Sequence, residues 1–326
     1  MKRAVGIDIG SHSVKLIEID AKKGHSVLTK CVMVKVKNND KASALKELLA
    51  QAKLTTKRVN VSLSGPSVIV RYIEMPPMRI GELKSAIKFE AEKYIPFNIN
   101  ESTVDCAVLG GAVLGSQQRV LLVVAKKQDV DESCRMFREF GLEINVVDVD
   151  SFAFFNSFEN SGARVKKEDQ AYALINLGAK FSNMNIAVKD SLYFTRDIFW
   201  GGNDINKRLS DIKAISEDGA EALKLKPGEN RGDIVEAVTP ALEKLTQQIR
   251  MSLDYFETQF GKDVEKIYIS GGTSYLFNMV DFLKENLRVD VIMWNPFEHM
   301  VLSEVSKEID AQPALFAVAA GLALRT

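Results

Sequence analysis

The chain has 326 residues, 46% hydrophobic and 26% charged, with 43 Lys and Arg against 43 Asp and Glu. That length allows two or three lobes with sizeable cores, and the neutral balance removes any electrostatic case for nucleic acid or a bare anionic membrane as partner. Cys31, Cys106 and Cys134 form no Cys-x-x-Cys, and His12, His25 and His299 are equally scattered, so neither a disulfide framework nor a zinc site is expected.

Residues 4–20 alternate as two strands that turn at Gly10-Ser-His-Ser13. Asp8, Gly10, Ser11, Ser13 and Lys15 crowd that hairpin. Such groups can grip a polyphosphate and its metal. Gly10 lets backbone N–H groups approach an anion. The serines donate to phosphate oxygens, Lys15 neutralises charge, and Asp8 holds Mg²⁺ directly or through water. An ordinary edge hairpin with a polar turn has the same pattern. Residues 26–36 predict a third strand, 43–52 a short helix, and 59–64 and 68–73 two more strands. Met75-Pro-Pro77 closes this strand-rich region. Beyond it, Leu83, Ala86, Ile87, Ala91, Tyr94 and Ile95 recur at helical spacing, which predicts a helix over 82–95 stopped by Pro96. Residues 101–109 and 117–125 predict strands. The glycine-rich stretch 110–115 reads as a flexible hairpin connection, because no helix opens after it. A helix over 130–140, closed by Gly141, completes a small α/β lobe over 76–145.

A strand over 143–149 leads to a helix over 151–158 with Ser151 as N-cap, then to a polar linker over 160–169. Residues 171–188 repeat the opening shape of strand, glycine turn and strand, with Asn176-Leu-Gly178 standing where Asp8-Ile-Gly10 stood. Two similar halves are expected. A strand over 191–199 follows, then a helix capped by Asp204, a short helix over 216–226 and a loop over 227–233. A long helix over 234–260 carries one apolar face, with Pro240 kinking it or lying in its first turn. The strand 266–270 runs into Gly271-Gly272 and a helix through Asn286. A glycine pair there lets a base or phosphate lie against the backbone, although a plain tight turn fits as well. A strand over 289–294 and an Ala/Gly-rich connector helix over 313–324 close the chain. No run reaches the ~18 apolar residues of a membrane span. Neither a leader before Asp8 nor a basic amphipathic tail is expected.

No P-loop, G-x-S-x-G or H-E-x-x-H occurs. The three glycine turns near residues 10, 178 and 271, with Ala220-Glu221 and Lys224 and the closing Ala319-Ala-Gly-Leu-Ala-Leu-Arg325, resemble the actin-like ATPase superfamily of sugar kinases, Hsp70 chaperones, actin and FtsA. Met75-Pro-Pro-Met-Arg79 and Glu90-Ala-Glu-Lys-Tyr-Ile-Pro-Phe97, with Val123-Val-Ala-Lys-Lys127, resemble the PilM family of type IV pilus assembly, an FtsA-like branch. The resemblance implies an α/β actin-like ATPase fold of duplicated ribonuclease-H-like halves with an FtsA/PilM-type inserted lobe. It divides the chain into a first lobe (1–75, 146–165 and 312–326), an inserted lobe (76–145), a second lobe (166–200 and 265–311) and a helical subdomain (201–264).

The same resemblance implies ATP or ADP with Mg²⁺. The first hairpin would contribute Asp8, Gly10, Ser11, His12, Ser13 and Lys15, and the second Asn176, Gly178 and Ala179. Gly202, Glu221, Lys224, Gly271, Gly272 and Thr273 would line the nucleoside. The second hairpin of the superfamily carries Asp-x-Gly where this chain has Asn176. A neutral amide neither neutralises Mg²⁺ nor polarises water as a carboxylate does, so binding is expected with slow or absent hydrolysis. Asp148 or Asp150 could orient a water, but a loop acid and a residue near a helix N-terminus read the same. The family further implies a cytoplasmic adaptor, held at the inner membrane by its partner. It docks the N-terminal cytoplasmic peptide of a PilN-like protein and joins it to pilus motor ATPases. The groove is expected between the large and inserted lobes, around 62–75 and 78–97. A small-molecule kinase and an FtsA-type filament protein are the alternatives.

Overall fold

A computed structural model describes residues 2–22, 25–109, 117–161, 170–228, 231–302 and 308–325. The first half comprises β1 (Lys2–Ile9), β2 (Ser13–Lys22), β3 (His25–Lys35), α1 (Lys41–Ala52) and β4 (Arg58–Leu63). It continues through β5 (Val68–Met75), α2 (Ile80–Ala91), β6 (Ser102–Val108), β7 (Gln118–Lys126), α3 (Lys127–Glu139), β8 (Glu143–Val149) and α4 (Asp150–Asn160). The second half comprises β9 (Ala171–Leu177), β10 (Ser182–Val188), β11 (Ser191–Ile198), α5 (Gly202–Lys213), α6 (Glu217–Leu225) and α7 (Arg231–Phe260). Then come β12 (Val264–Ser270), α8 (Met279–Leu287), β13 (Asp290–Met293), β14 (Val301–Leu302), α9 (Glu308–Ala311) and α10 (Ala317–Leu324).

Two sheets share one topology. The first runs β14-β3-β2-β1-β4-β8 and the second β11-β10-β9-β12-β13. Apart from β14, which pairs parallel with β3 at the edge of the first sheet, each has three antiparallel strands followed by two parallel ones. The duplication suggested by the two hairpins is therefore present. β5, β7 and β6 form a separate three-stranded sheet. Val68–Met75 thus belongs with the inserted strands although the composition changes only at Pro76, and β14 joins the first sheet rather than the second.

Helices cover each sheet where the strand alternation puts apolar side chains. Leu45, Leu48 and Phe137 pack on Val5, Ile7, Leu16 and Val61. Ile205, Leu245 and Ile249 pack on Ile175, Met184, Ile186 and Ile267. Leu83, Ile87 and Ala91 of α2 cover Ile73, Val120, Leu122 and Val124. Each such buried Val, Leu, Ile, Met or Phe side chain contributes about 1.5–3 kcal/mol. Between the halves, α4 and α10 pack together with Phe154, Phe158, Val318 and Leu322 against Tyr172, Leu174 and Ala187. A Cβ at Gly321 would lie 1.7 Å from the Ala153 carbonyl oxygen, so the connector approaches α4 as closely as only glycine permits.

Several element ends differ from expectation. α2 stops at Ala91, and Tyr94 N–H bonds Ala91 O at 3.0 Å in a tight turn, because Pro96 disfavours helix at Ile95. The cap of α4 is Val149; Ser151 lies inside its first turn. Asp204 is not the N-cap of α5 but reaches back from its first turn to the Gly201 N–H at 2.9 Å. α7 begins at Arg231, which places Pro240 well inside it. After Gly271 the chain makes a 3₁₀ turn (Gly272–Tyr275), and the left-handed Asn278 separates this turn from α8. The first half of the expected connector helix is likewise a 3₁₀ turn, Pro313–Phe316. The glycine-rich connection 110–115 and nearly all of the linker 160–169 lie outside the described residues.

Candidate functional site

A cleft of about 440 Å³ opens where the two glycine hairpins face each other. Register places Asp8 opposite Lys15 on β1 and β2, and the two form a buried ion pair at 2.9 Å. The β1–β2 turn is tight, with Gly10 N–H bonding Ser13 O at 3.1 Å. Ser11, His12 and Ser13 line the cleft beside it. Burial outweighs the nearby Glu221 carboxylate and lowers the His12 pKa, with Lys35, Lys224 and Lys15 lowering it further.

From the second half, Asn176, Gly178 and Ala179 line the opposite wall, and Gly271, Gly272 and Thr273 form its floor. Gly271 sits at φ 88, and a Cβ there would meet Leu177 O at 2.5 Å and Asn176 Oδ1 at 2.6 Å, so the turn requires glycine. Thr273 Oγ1 donates to Gly178 O at 2.8 Å and ties the floor to the hairpin. Gly202 backs this corner, where a Cβ would touch Thr273 Oγ1 and Lys224 Nζ. Lys224 donates to Glu221, which also accepts from Asn206 at 2.7 Å. Desolvation lowers the Lys224 pKa against the pull of Glu221. Burial tends to raise Glu221, but Lys224, Asn206 and His12 hold it below its ordinary value.

Asp150 faces the cleft, but Asp148 does not. The chain leaves β8 for α4 at Asp150, so strand alternation no longer pairs the two acids. Asp148 lines a separate groove with Arg325, 3.4 Å away. Burial raises the Asp150 pKa to about 7, reinforced by Asp8 and Asp197 and opposed by hydrogen bonds to Ser62 and Ser64. Several cleft residues were not singled out from sequence: Ser64, Gly65, Phe181, Asn183 and Asp197. Strand pairing alone brings two of them to the second hairpin, since Asn183 lies opposite both Asn176 and Asp197.

The groove around Asp148 measures about 250 Å³. One side is the face of β6 and β7 that α2 leaves uncovered, with Thr103, Asp105, Ala107, Leu121 and Val123. The other is Leu63, Val147, Val149, Phe152 and Arg325. β6 is the edge of its sheet, so its outer N–H and C=O groups are not used in that ladder. It lies at the 62–75 part of the expected region, but α2 packs on the other face of the sheet, so 78–97 does not line it.

A polar chain, buried at its α4 end, joins the inserted sheet to α4. Tyr72 Oη bonds Thr195 Oγ1 at 2.8 Å, Thr195 donates to Asn185 Oδ1 at 2.9 Å, and Asn185 Nδ2 donates to Ser151 O at 2.7 Å. The Thr195 proton is committed to Asn185, so Tyr72 is the donor. Ser151 follows Asp150 directly. Arg119 reinforces the contact: its guanidinium lies over the Tyr72 and Tyr193 rings and donates to Tyr193 O.

Residues 6–326 match a protein family described as type IV pilus assembly protein PilM. A solved PilM-PilN type IV pilus biogenesis complex superposes with a TM-score of 0.89 at 29% identity, over 99% of this chain and 98% of that chain. Ethanolamine utilization protein EutJ from Carboxydothermus hydrogenoformans gives 0.59 at 14% identity, over 100% and 90%. MreB 5 of Spiroplasma citri bound to AMPPNP gives 0.54 at 11% identity, over 98% and 95%. With the duplicated sheet order, these likenesses make the fold actin-like.

Proposed function

Because the chain belongs to the type IV pilus assembly protein PilM family, we propose that it is a nucleotide-binding adaptor of pilus assembly that docks the N-terminal cytoplasmic peptide of a PilN-like protein. The adaptor is cytoplasmic, is held at the inner membrane by that partner, and joins it to the pilus motor ATPases. Among the described residues no helix is long and apolar enough to cross a membrane.

The observation that carries this reading is the pair of sites and the polar chain between them. The hairpin cleft suits a Mg-nucleotide. Its test is Asn183, which lines the cleft and whose buried side-chain carbonyl oxygen has no hydrogen-bond partner among the described residues. ATP or ADP would be held by Asp8, Gly10, Ser11, Ser13 and Lys15 on one wall and by Gly178, Ala179 and Gly271 to Thr273 on the other. Bound Mg²⁺ would supply charge neutralisation for the phosphates. With Asn176 in the second hairpin, turnover is slow or absent.

The groove suits an extended peptide. Edge strand β6 offers backbone partners, Leu121, Val123 and Phe152 offer apolar contact, and Asp148 and Arg325 offer charge. The lobes read from the sequence then divide the work. The two lobes with the paired sheets clamp the nucleotide, the helical subdomain 201–264 closes over the nucleoside, and the inserted lobe supplies one groove wall. Nucleotide closure is felt in the groove through Ser151, Asn185, Thr195 and Tyr72.

The test is Asp8→Ala, assayed for Mg-ATP binding and for PilN-like peptide binding. Both affinities fall together if the reading is right. Loss of nucleotide with unchanged peptide affinity removes the coupling.

A further inference from the structure

The sequence leaves the second hairpin without the acid that would face a divalent cation, because Asn176 stands in its place. The next two strands change the picture. Asn183 of β10 lies directly opposite Asn176, and Asp197 of β11 lies directly opposite Asn183. Residues opposite one another across antiparallel strands project on the same face. That face is turned to the first half, since Tyr172 and Leu174 on β9 and Ala187 on β10 share it and pack beside α4 and α10. The rung of Asn176, Asn183 and Asp197 therefore ends in the cleft, which all three residues line.

Two independent features point to a ligand there. Asn183 is 5% exposed, and its Oδ1 has no hydrogen-bond partner among the described residues. A buried carbonyl oxygen left unsatisfied loses more than a hydrogen bond is worth, unless a bound group supplies a donor. Asp197 is desolvated with no compensating partner among the described residues, and it acts on Asp150 together with Asp8 across the cleft. Asp8, Asp150 and Asp197 all line this cleft, with Lys15 committed to Asp8. Among the described residues no three acidic, His or Cys side chains stand close enough to ligate a metal themselves. Mg²⁺ does not need that: it keeps several waters and takes one or two carboxylates plus substrate phosphates.

We propose that Asp197 is the second cation-facing carboxylate of this cleft, acting with the Asn183 carbonyl on the water shell of a nucleotide-bound Mg²⁺ in place of the acid missing at position 176. The inference rests on the nucleotide reading given above. It concerns the position of the metal's counter-charge, not turnover.

The experiment measures ATP affinity by calorimetry in Mg²⁺ and in EDTA, and the bound fraction of Mn²⁺ by EPR with ADP present. The parent binds at least about tenfold more tightly with the metal. In Asp197→Asn that ratio collapses toward one and the bound Mn²⁺ signal is lost. Asp197→Glu retains most of both. Adding Asn176→Asp to Asp197→Asn restores the ratio, which a merely structural role for Asp197 would not allow. Asn183→Ala, which leaves every carboxylate in place, lowers the ratio by a smaller factor of about three. An undiminished ratio in Asp197→Asn overturns the proposal, as does a parent that binds ATP equally well in EDTA; the nucleotide reading survives both results. A parent that binds no nucleotide under either condition defeats the nucleotide reading, and this inference with it.

Discussion

At the scale of single residues, the cleft is a balance of buried charge. Lys15 and Asp8 share one environment, and removing either leaves the other without its partner. Lys15→Ala should cost about 3–5 kcal/mol of stability, the usual loss on breaking a buried pair. It should also weaken ATP at least about tenfold; denaturant titration and calorimetry measure the two effects. Asp150 gives a pH signature. Its folded pKa of about 7 stands above the ordinary 3.8. Between those values the folded chain keeps a proton that the unfolded chain has released, so stability falls as pH rises through that window. Asp150→Asn removes this contribution to the fall, to which Asp197, raised to about 6 by burial, also adds. The variant's melting temperature should gain on the parent by at least about 2–4 °C between pH 5 and pH 8, the shift for about 1 kcal/mol in a domain of this size. A gain that is the same at both pH values would contradict the assignment. The residue chemistry of the first hairpin was legible in the sequence, because Asp8, Gly10, Ser11, Ser13 and Lys15 are close along the chain. Asp197 was not, since only strand pairing brings it beside Asn176.

At the scale of elements, periodicity identified most strands and helices, and the misplaced ends share a local cause. Proline, a left-handed residue and a reaching side chain decided three of them, at Ile95, Asn278 and Asp204. Which strand pairs with which lies beyond periodicity, and so β5 was placed with the wrong sheet. Small residues in the connector helix did forecast close packing. Gly321→Ala drives a methyl group into the Ala153 carbonyl and should cost about 3 kcal/mol, at the upper end of overpacking penalties. Urea unfolding checks this, and a loss under about 0.5 kcal/mol would mean that α10 and α4 can separate freely. On β6, Ala107 is exposed and faces the groove. Ala107→Arg should block PilN-like peptide binding by at least about tenfold while the melting temperature stays within about 2 °C.

At the scale of the whole molecule, a polar chain runs from Tyr72 of the inserted sheet through Thr195 and Asn185 to the carbonyl of Ser151, which follows the cleft residue Asp150. Tyr72→Phe removes the donor to Thr195 while keeping the ring under Arg119. Affinities for nucleotide alone and peptide alone should change little, whereas the effect of one on the other should shrink. The family was legible in the sequence through the first hairpin and the Glu90–Phe97 segment, yet that segment does not line the groove, because α2 covers the opposite face of its sheet. The central claim is coupling, and its most direct measurement is a titration with a PilN-like N-terminal cytoplasmic peptide, with and without saturating Mg-ATP. Saturable binding whose affinity shifts about fivefold or more with Mg-ATP is expected, the lower end of ordinary allosteric coupling. Equal affinity in both states, or no binding in either, would contradict a nucleotide-gated adaptor.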